Sequence, residues 1–188
     1  MPLERPLPCP EDCSPVEWAA LLRVSPGAAA ARWLAAHEGA VLEEEGPNRG
    51  ALLRRWLPYP AAVDGLPYCA RLLLAVLDAA GAERIDPRGT HWFWHNGRVA
   101  TLEAGHKAEG TWAGPKVDPR PGMLVFHRRR GASDAGPGGH VDIVLHYDPG
   151  ERFMEVVGAN VGDTIKRREF RLGHPGITGF GFVRRAGA

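Results

Sequence analysis

Cys69 and His140 stand far apart in the chain, but together they are of the types that make an activated nucleophile. A thiol beside an imidazole gives the ring its proton. The thiolate can then attack a carbonyl, and the imidazolium can protonate the leaving amine. Cys69 lies in "GLPYCARLLLAVLDAAG", residues 65–81, in the first turn of the best helix in the chain. Leu72, Leu73, Val76, Leu77 and Ala80 mark its buried stripe, and the 3.6-residue period puts Cys69 on that stripe, facing a sheet. The helix alone also fits a packed core thiol, because free cysteine is among the most buried residue types. A helix N-terminus favours thiolate, lowering the free thiol pKa from about 8.5. His140 opens a strand after a Gly-rich approach, in "GPGGHVDIVLHY". Val141, Ile143 and Leu145 form one face of that strand; His140, Asp142, Val144 and His146 form the other.

A third polar group is needed to orient the imidazole. The next strand ends in "EVVGAN", after a hairpin at "DPGE". A four-residue loop over residues 148–151 pairs His140 with Ala159 and puts Glu155 on the His140 face. A five-residue loop, or a bulge, puts Asn160 opposite His140 instead. A shift of one residue exchanges the faces, so periodicity leaves Asn160 and Glu155 both open.

These residues must be carried by helices and strands that the sequence marks clearly. Ser14 and Ser25 are candidate N-caps, each followed by proline, and Glu17 completes a capping-box spacing with Ser14. "GALLRRWLPYP" reads as a short amphipathic helix stopped by Pro58 and Pro60. Residues 82–121 are rich in Gly, Pro and aromatics, with one helix expected near residues 100–109. From Pro121 the period becomes two, and "MLVFHRR", "HVDIVLHY", "RFMEVVGA", "TIKRREFRL" and "ITGFGFVRR" are strand candidates. Helices followed by strands imply an α+β fold, with helices packed on an antiparallel sheet of about five strands.

The chain has 188 residues, 44 % of them hydrophobic, enough for a sizeable core. Its 23 basic and 22 acidic residues leave a formal charge of +1, which signals no nucleic-acid or membrane partner. The run from His127 to Arg130 is a local basic patch at an expected hairpin tip. No apolar stretch reaches membrane-spanning length, and the N-terminus lacks the apolar region of a secretory signal. Synthesis in the cytoplasm is therefore expected. Three cysteines make no disulfide framework; Cys9 and Cys13 could pair or hold half a metal site, but no second ligand pair follows. His91 and His95 in "HWFWH" have the i, i+4 spacing of two ligands, with Trp92 where a zinc-protease motif has Glu. They read as an aromatic cluster that could wall a groove. His127, His146 and His174 read as structural or surface residues. No metal or cofactor is expected.

Several of these segments, in order, resemble the CHAP family (cysteine, histidine-dependent amidohydrolase/peptidase), which belongs with the NlpC-type cell-wall peptidases in the papain-like superfamily. The cysteine helix resembles that family's Pro-Trp-Cys-Ala helix. "EEEGPNRGALLRRWL" resembles a Gly-x-Asn-x-Gly entry segment, "DPRPGMLVFHR" a Pro-Gly-Asp strand, "GGHVDIVLHY" a Gly-His-Val-Gly-Ile-Val strand, and "VVGANVGDTIKRREF" a Gly-Gly-Asn-x-Ser-Asp close. The similarity runs over residues 43–170, so residues 1–42 are expected to be a helical extension or docking segment and residues 43–188 the catalytic domain. The resemblance implies a papain-like fold with Cys69 as nucleophile, His140 as general base and acid, and Asn160 as the orienting residue. It implies an oxyanion hole at the helix start, with Tyr68 lining the cleft. Tyr68 replaces the usual Trp, Met123 stands where Asp follows Gly122, and Asp142 replaces a small Gly. Asp142 could crowd the cleft, raise the His140 pKa or contact a substrate amine.

The resemblance further implies an amidohydrolase or peptidase acting on peptidoglycan stem peptides. Such a protein would be a phage endolysin, an effector exported by a dedicated secretion system, or a recycling enzyme. Its site of action would be the cell wall or periplasm, and an immunity or delivery protein would be a natural partner. The alternatives are a non-catalytic papain-like binding module and an acyl transferase using the same cysteine.

Overall fold

Two Ser-Pro pairs open the first two helices. The computed structural model describes residues 7–40, 45, 48–57, 68–83, 98–128 and 139–187. In it α1 spans Pro15–Val24 and α2 spans Pro26–Ala36. Ser14 Oγ accepts from the Glu17 N–H at 3.3 Å and donates to Glu17 Oε2 at 2.7 Å, tying both ends of the capping spacing. Ser25 Oγ accepts from the Ala28 N–H at 3.3 Å. Three more helices follow: α3 (Ala51–Trp56), α4 (Cys69–Ala79) and α5 (Val99–Ala108). Gly81, with φ 83°, supplies the left-handed turn that ends α4.

The strands are β1 (Trp112–Ala113), β2 (Leu124–Arg128), β3 (Gly139–Asp148), β4 (Phe153–Val161), β5 (Thr164–Arg171) and β6 (Ile177–Gly181). They form one antiparallel sheet in the order β1-β6-β2-β3-β4-β5. The result is an α+β fold. The sheet has six strands where about five were expected; the addition is β1, whose two residues are too few to show a period.

One core joins the helices to one face of the sheet. Leu72, Leu73 and Val76 of α4 pack in the same cluster as Val141, Ile143, Val157 and Ala159. These three α4 side chains are at most 1 % exposed, and burying each contributes about 1.5–3 kcal/mol. That burial fixes α4, and Cys69 with it. Leu7, Trp18, Trp33 and Leu34 belong to the same cluster, so the N-terminal helices share the core that holds the cysteine helix. A glycine pair shows how closely they pack. A Cβ on Gly27 would lie 2.3 Å from the Gly122 carbonyl oxygen, so the start of α2 rests on the turn into β2. The reverse face of the sheet has its own apolar cluster, with Val125, Val144, Met154, Val156 and Phe180. β3 is thus buried on both faces through Val144, where the alternation pointed to one buried face. No helix among the described residues is long and apolar enough to cross a membrane.

Candidate active site

α4 presents Cys69 at its first residue and β3 presents His140 at its second. The two side chains are hydrogen-bonded to each other. Both are buried, at 3 % and 6 % exposure. His140 Nε2 donates to Asp142 Oδ1 at 2.9 Å, which leaves Nδ1 as the ring nitrogen for the thiol. Thiol, imidazole and carboxylate therefore form a continuous chain.

Asp142 is fully buried and is the hub of a larger cluster. Arg168 Nη2 donates to Oδ2. His127 Nε2 lies 2.8 Å from the same oxygen, at an angle that makes no regular hydrogen bond. Strand pairing brings these groups together. His127 is the direct partner of His140 across β2 and β3, and the ring centroids are 6.2 Å apart. Arg168 faces Val156 across β4 and β5. Gly158 leaves the space the carboxylate occupies, because a Cβ there would fall 1.8 Å from Asp142 Oδ1. Gly158→Ala should therefore push the carboxylate off His140. We expect thermal melting to show a loss of about 1–3 kcal/mol, the range for an overpacked core.

The charges follow from this geometry. Burial opposes charge on His140, but the Asp142 carboxylate and the Cys69 thiolate outweigh it and raise the ring pKa to about 9. Burial likewise opposes ionisation of Asp142, but His140 and His127 hold its carboxyl far below the usual carboxylate range. Burial pushes His127 below its ordinary value, against the pull of Asp142. At neutral pH the cluster thus holds an imidazolium at His140, a carboxylate at Asp142 and a neutral imidazole at His127.

The remaining candidates are placed as follows. Tyr68, the residue before α4, is fully buried, and its carbonyl accepts the Leu72 N–H at 2.8 Å. Asn160 Nδ2 donates to Asn48 Oδ1 at 3.0 Å, joining the end of β4 to the "GPNRG" entry segment. The group on the His140 ring is Asp142, not Asn160. Asp142 is fully buried, and its carboxylate is one of the groups that raise the His140 pKa. Glu155 faces His146 across the strands and lies 3.5 Å from Arg167, away from His140. Cys9 and Cys13 are free thiols, and Cys9 Sγ donates to the Cys13 carbonyl at 3.1 Å. His91 and His95 lie outside the described residues, as do Arg129 and Arg130. Among the described residues no cluster of His, Cys, Asp and Glu could hold a metal ion.

His146 and His174 are exposed, in keeping with surface roles. His127 is not a surface residue; it is buried against Asp142. Its signal was the alternation of "MLVFHRR", which puts Val125 and His127 on one face of the strand next to His140. The same alternation in "TIKRREFRL" separates Arg168 from Arg167, but nothing in it names Asp142 as the partner.

No family model and no curated protein matches this chain. The crystal structure of Ly7917 is similar to it over 42 % of this chain and 33 % of that one, at 20 % identity and a TM-score of 0.29.

Proposed function

We propose that the protein is a cysteine amidohydrolase or peptidase of papain-like type, acting on amide bonds of peptidoglycan stem peptides. One observation supports the chemistry: a thiol at a helix start contacts an imidazole whose other nitrogen is held by a buried carboxylate. The substrate class follows from the CHAP resemblance of the segments that carry these groups.

In the proposed reaction His140 holds the proton that Cys69 has lost. The Cys69 thiolate attacks the amide carbon, and the carbonyl oxygen takes the negative charge. The backbone N–H of Cys69, at the first position of α4, would stabilise that oxyanion. As the C–N bond breaks, the imidazolium passes its proton to the departing amine, leaving a thioester on Cys69. His140, now neutral, takes a proton from water as the water attacks the thioester. The carboxylic acid product leaves, and the thiolate–imidazolium pair is restored.

The raised His140 pKa gives this scheme a pH signature. Its folded value of about 9 lies above the ordinary 6.5, so the folded state binds this proton more tightly than the unfolded chain. The stability this contributes is complete below about pH 6.5 and is lost as pH rises through about 9. Hydrolysis should fall over that upper limit as well, because the leaving amine loses its acid. Alkylation of Cys69 needs only thiolate and should not fall there.

The test of function is digestion of purified peptidoglycan, read by mass spectrometry. New free amines that vanish in Cys69→Ala establish hydrolysis of stem peptides. Binding without new ends would favour the non-catalytic module, and an amine adduct would favour acyl transfer.

A further inference from the structure

Asp142 is held by more donors than orienting one imidazole requires. Oδ1 accepts from His140, while Oδ2 meets Arg168 from β5 and His127 from β2. We propose that Arg168 is a positioning residue for the thiol–imidazole pair, acting through Asp142, with His127 completing the clamp. This inference rests on the thiol chemistry proposed above.

Geometry is the first argument. The terminal torsion of an aspartate is broad, so one hydrogen bond does not fix the plane of its carboxylate. Arg168, donating to Oδ2 from β5, and His127, whose Nε2 lies 2.8 Å from the same oxygen on β2, do fix it, and so fix the direction in which Oδ1 meets His140. Arg168 is itself held, with its guanidinium carbon 5.3 Å from the centroid of the Phe170 ring. Phe170 also packs against His127, with ring centroids 4.9 Å apart, so the two Oδ2 partners share one support.

Charge is the second. Among the described residues, the ionisable groups in contact around Asp142 are His140, His127, Arg168 and, through His140, Cys69. With a thiolate at Cys69, an imidazolium at His140 and a neutral His127, the carboxylate of Asp142 still needs one positive charge for balance. Arg168 supplies it. Without that charge, forming the thiolate would leave a net negative cluster in a buried site, which disfavours the thiolate.

The test is the pH profile of Cys69 alkylation by iodoacetamide, read by mass spectrometry for wild type, Arg168→Gln and Arg168→Lys. This needs no knowledge of the substrate. Arg168→Gln should raise the midpoint, so that below it Cys69 reacts about tenfold more slowly, the scale of effect of one neighbouring charge. Arg168→Lys should recover most of that loss. The downfield proton resonance of His140 Nε2–H reads the bond to Asp142 directly, and it should broaden or move in Arg168→Gln. If Arg168→Gln does not fold, Arg168→Lys carries the test. It keeps the charge but loses the planar fork, so the His140 resonance should move while the alkylation midpoint stays near wild type. A folded Arg168→Gln with unchanged midpoint and resonance, or an Arg168→Lys with unchanged resonance or a midpoint as high as that of Arg168→Gln, would overturn the proposal. An ordinary thiol profile for Cys69 in the wild type would overturn both this and the thiol reading; an activated Cys69 indifferent to Arg168→Gln would overturn this one alone.

Discussion

Cys69→Ala should leave a folded protein whose amide hydrolysis is lost by a factor on the order of 10⁴ or more. The sulfur is the atom that bonds to the substrate, and no other thiol lies near His140: Cys9 and Cys13 belong to the N-terminal turn. The fold should survive. The substitution removes one atom from a position 3 % exposed, a change worth about 1 kcal/mol, while Leu72, Leu73 and Val76 still anchor α4. Cys69→Ser should be nearly as inactive, because a hydroxyl keeps its proton at neutral pH. If Cys69 were only a packing residue, both variants would keep whatever activity the protein has. Digestion of peptidoglycan alongside thermal melting checks both halves of this expectation.

Asp142→Asn should lower kcat by about 10²–10⁴, the scale on which triads respond to loss of the orienting carboxylate. Asn160→Gly should leave kcat within a few-fold of wild type. The carboxylate accepts from His140 at one oxygen and faces Arg168 and His127 with the other. An amide of the same shape has one acceptor oxygen, so its N–H₂ must point at a donor. Either His140 loses its hydrogen bond or Arg168 does. Asn160 donates instead to Asn48, at the end of β4. Its φ of 62° is left-handed, so glycine removes the side chain without adding the strain that alanine would. The loss there should appear as about 1 kcal/mol of stability rather than as rate. Steady-state kinetics on one defined peptide substrate separates the two; equal or reversed effects would return the orienting role to Asn160.

The difference between these two residues shows what could and could not be read from the chain. Local signals were legible because they act within a few residues: Ser14 and Ser25 cap their helices, the apolar stripe of α4 is buried, and the five longer strands lie in the segments that the two-residue period marked. The third group was not legible, because it depends on a register and on backbone irregularities. His146 pairs with Glu155 but Ile143 pairs with Val157, so the register shifts between Val144 and His146. Continued to the strand start, that register sets Asn160 across from His140, the bulged alternative left open by the hairpin length. Yet a second irregularity, between Ala159 and Val161, coincides with the left-handed backbone of Asn160, and its side chain goes to Asn48. Asp142 reaches the ring from the same strand, two residues on, in the space above Gly158. Its partners His127 and Arg168 come from β2 and β5, and no spacing in the chain connects them. The two-residue β1 escaped notice for a simpler reason: it is shorter than the period that reveals a strand.

The most direct measurement is the pH dependence of iodoacetamide alkylation at each cysteine of the wild-type protein, resolved by peptide mass spectrometry. Access scales the rate, but the midpoint reports the thiolate. Cys9 is a built-in reference, because burial and the neighbouring Cys13 thiol raise it above an ordinary thiol. The thiolate–imidazolium account predicts that Cys69 reaches its plateau below pH 7, well before Cys9, and that the plateau persists above pH 9. A Cys69 rate that still climbs near or above the ordinary thiol midpoint of about 8.5 would contradict it.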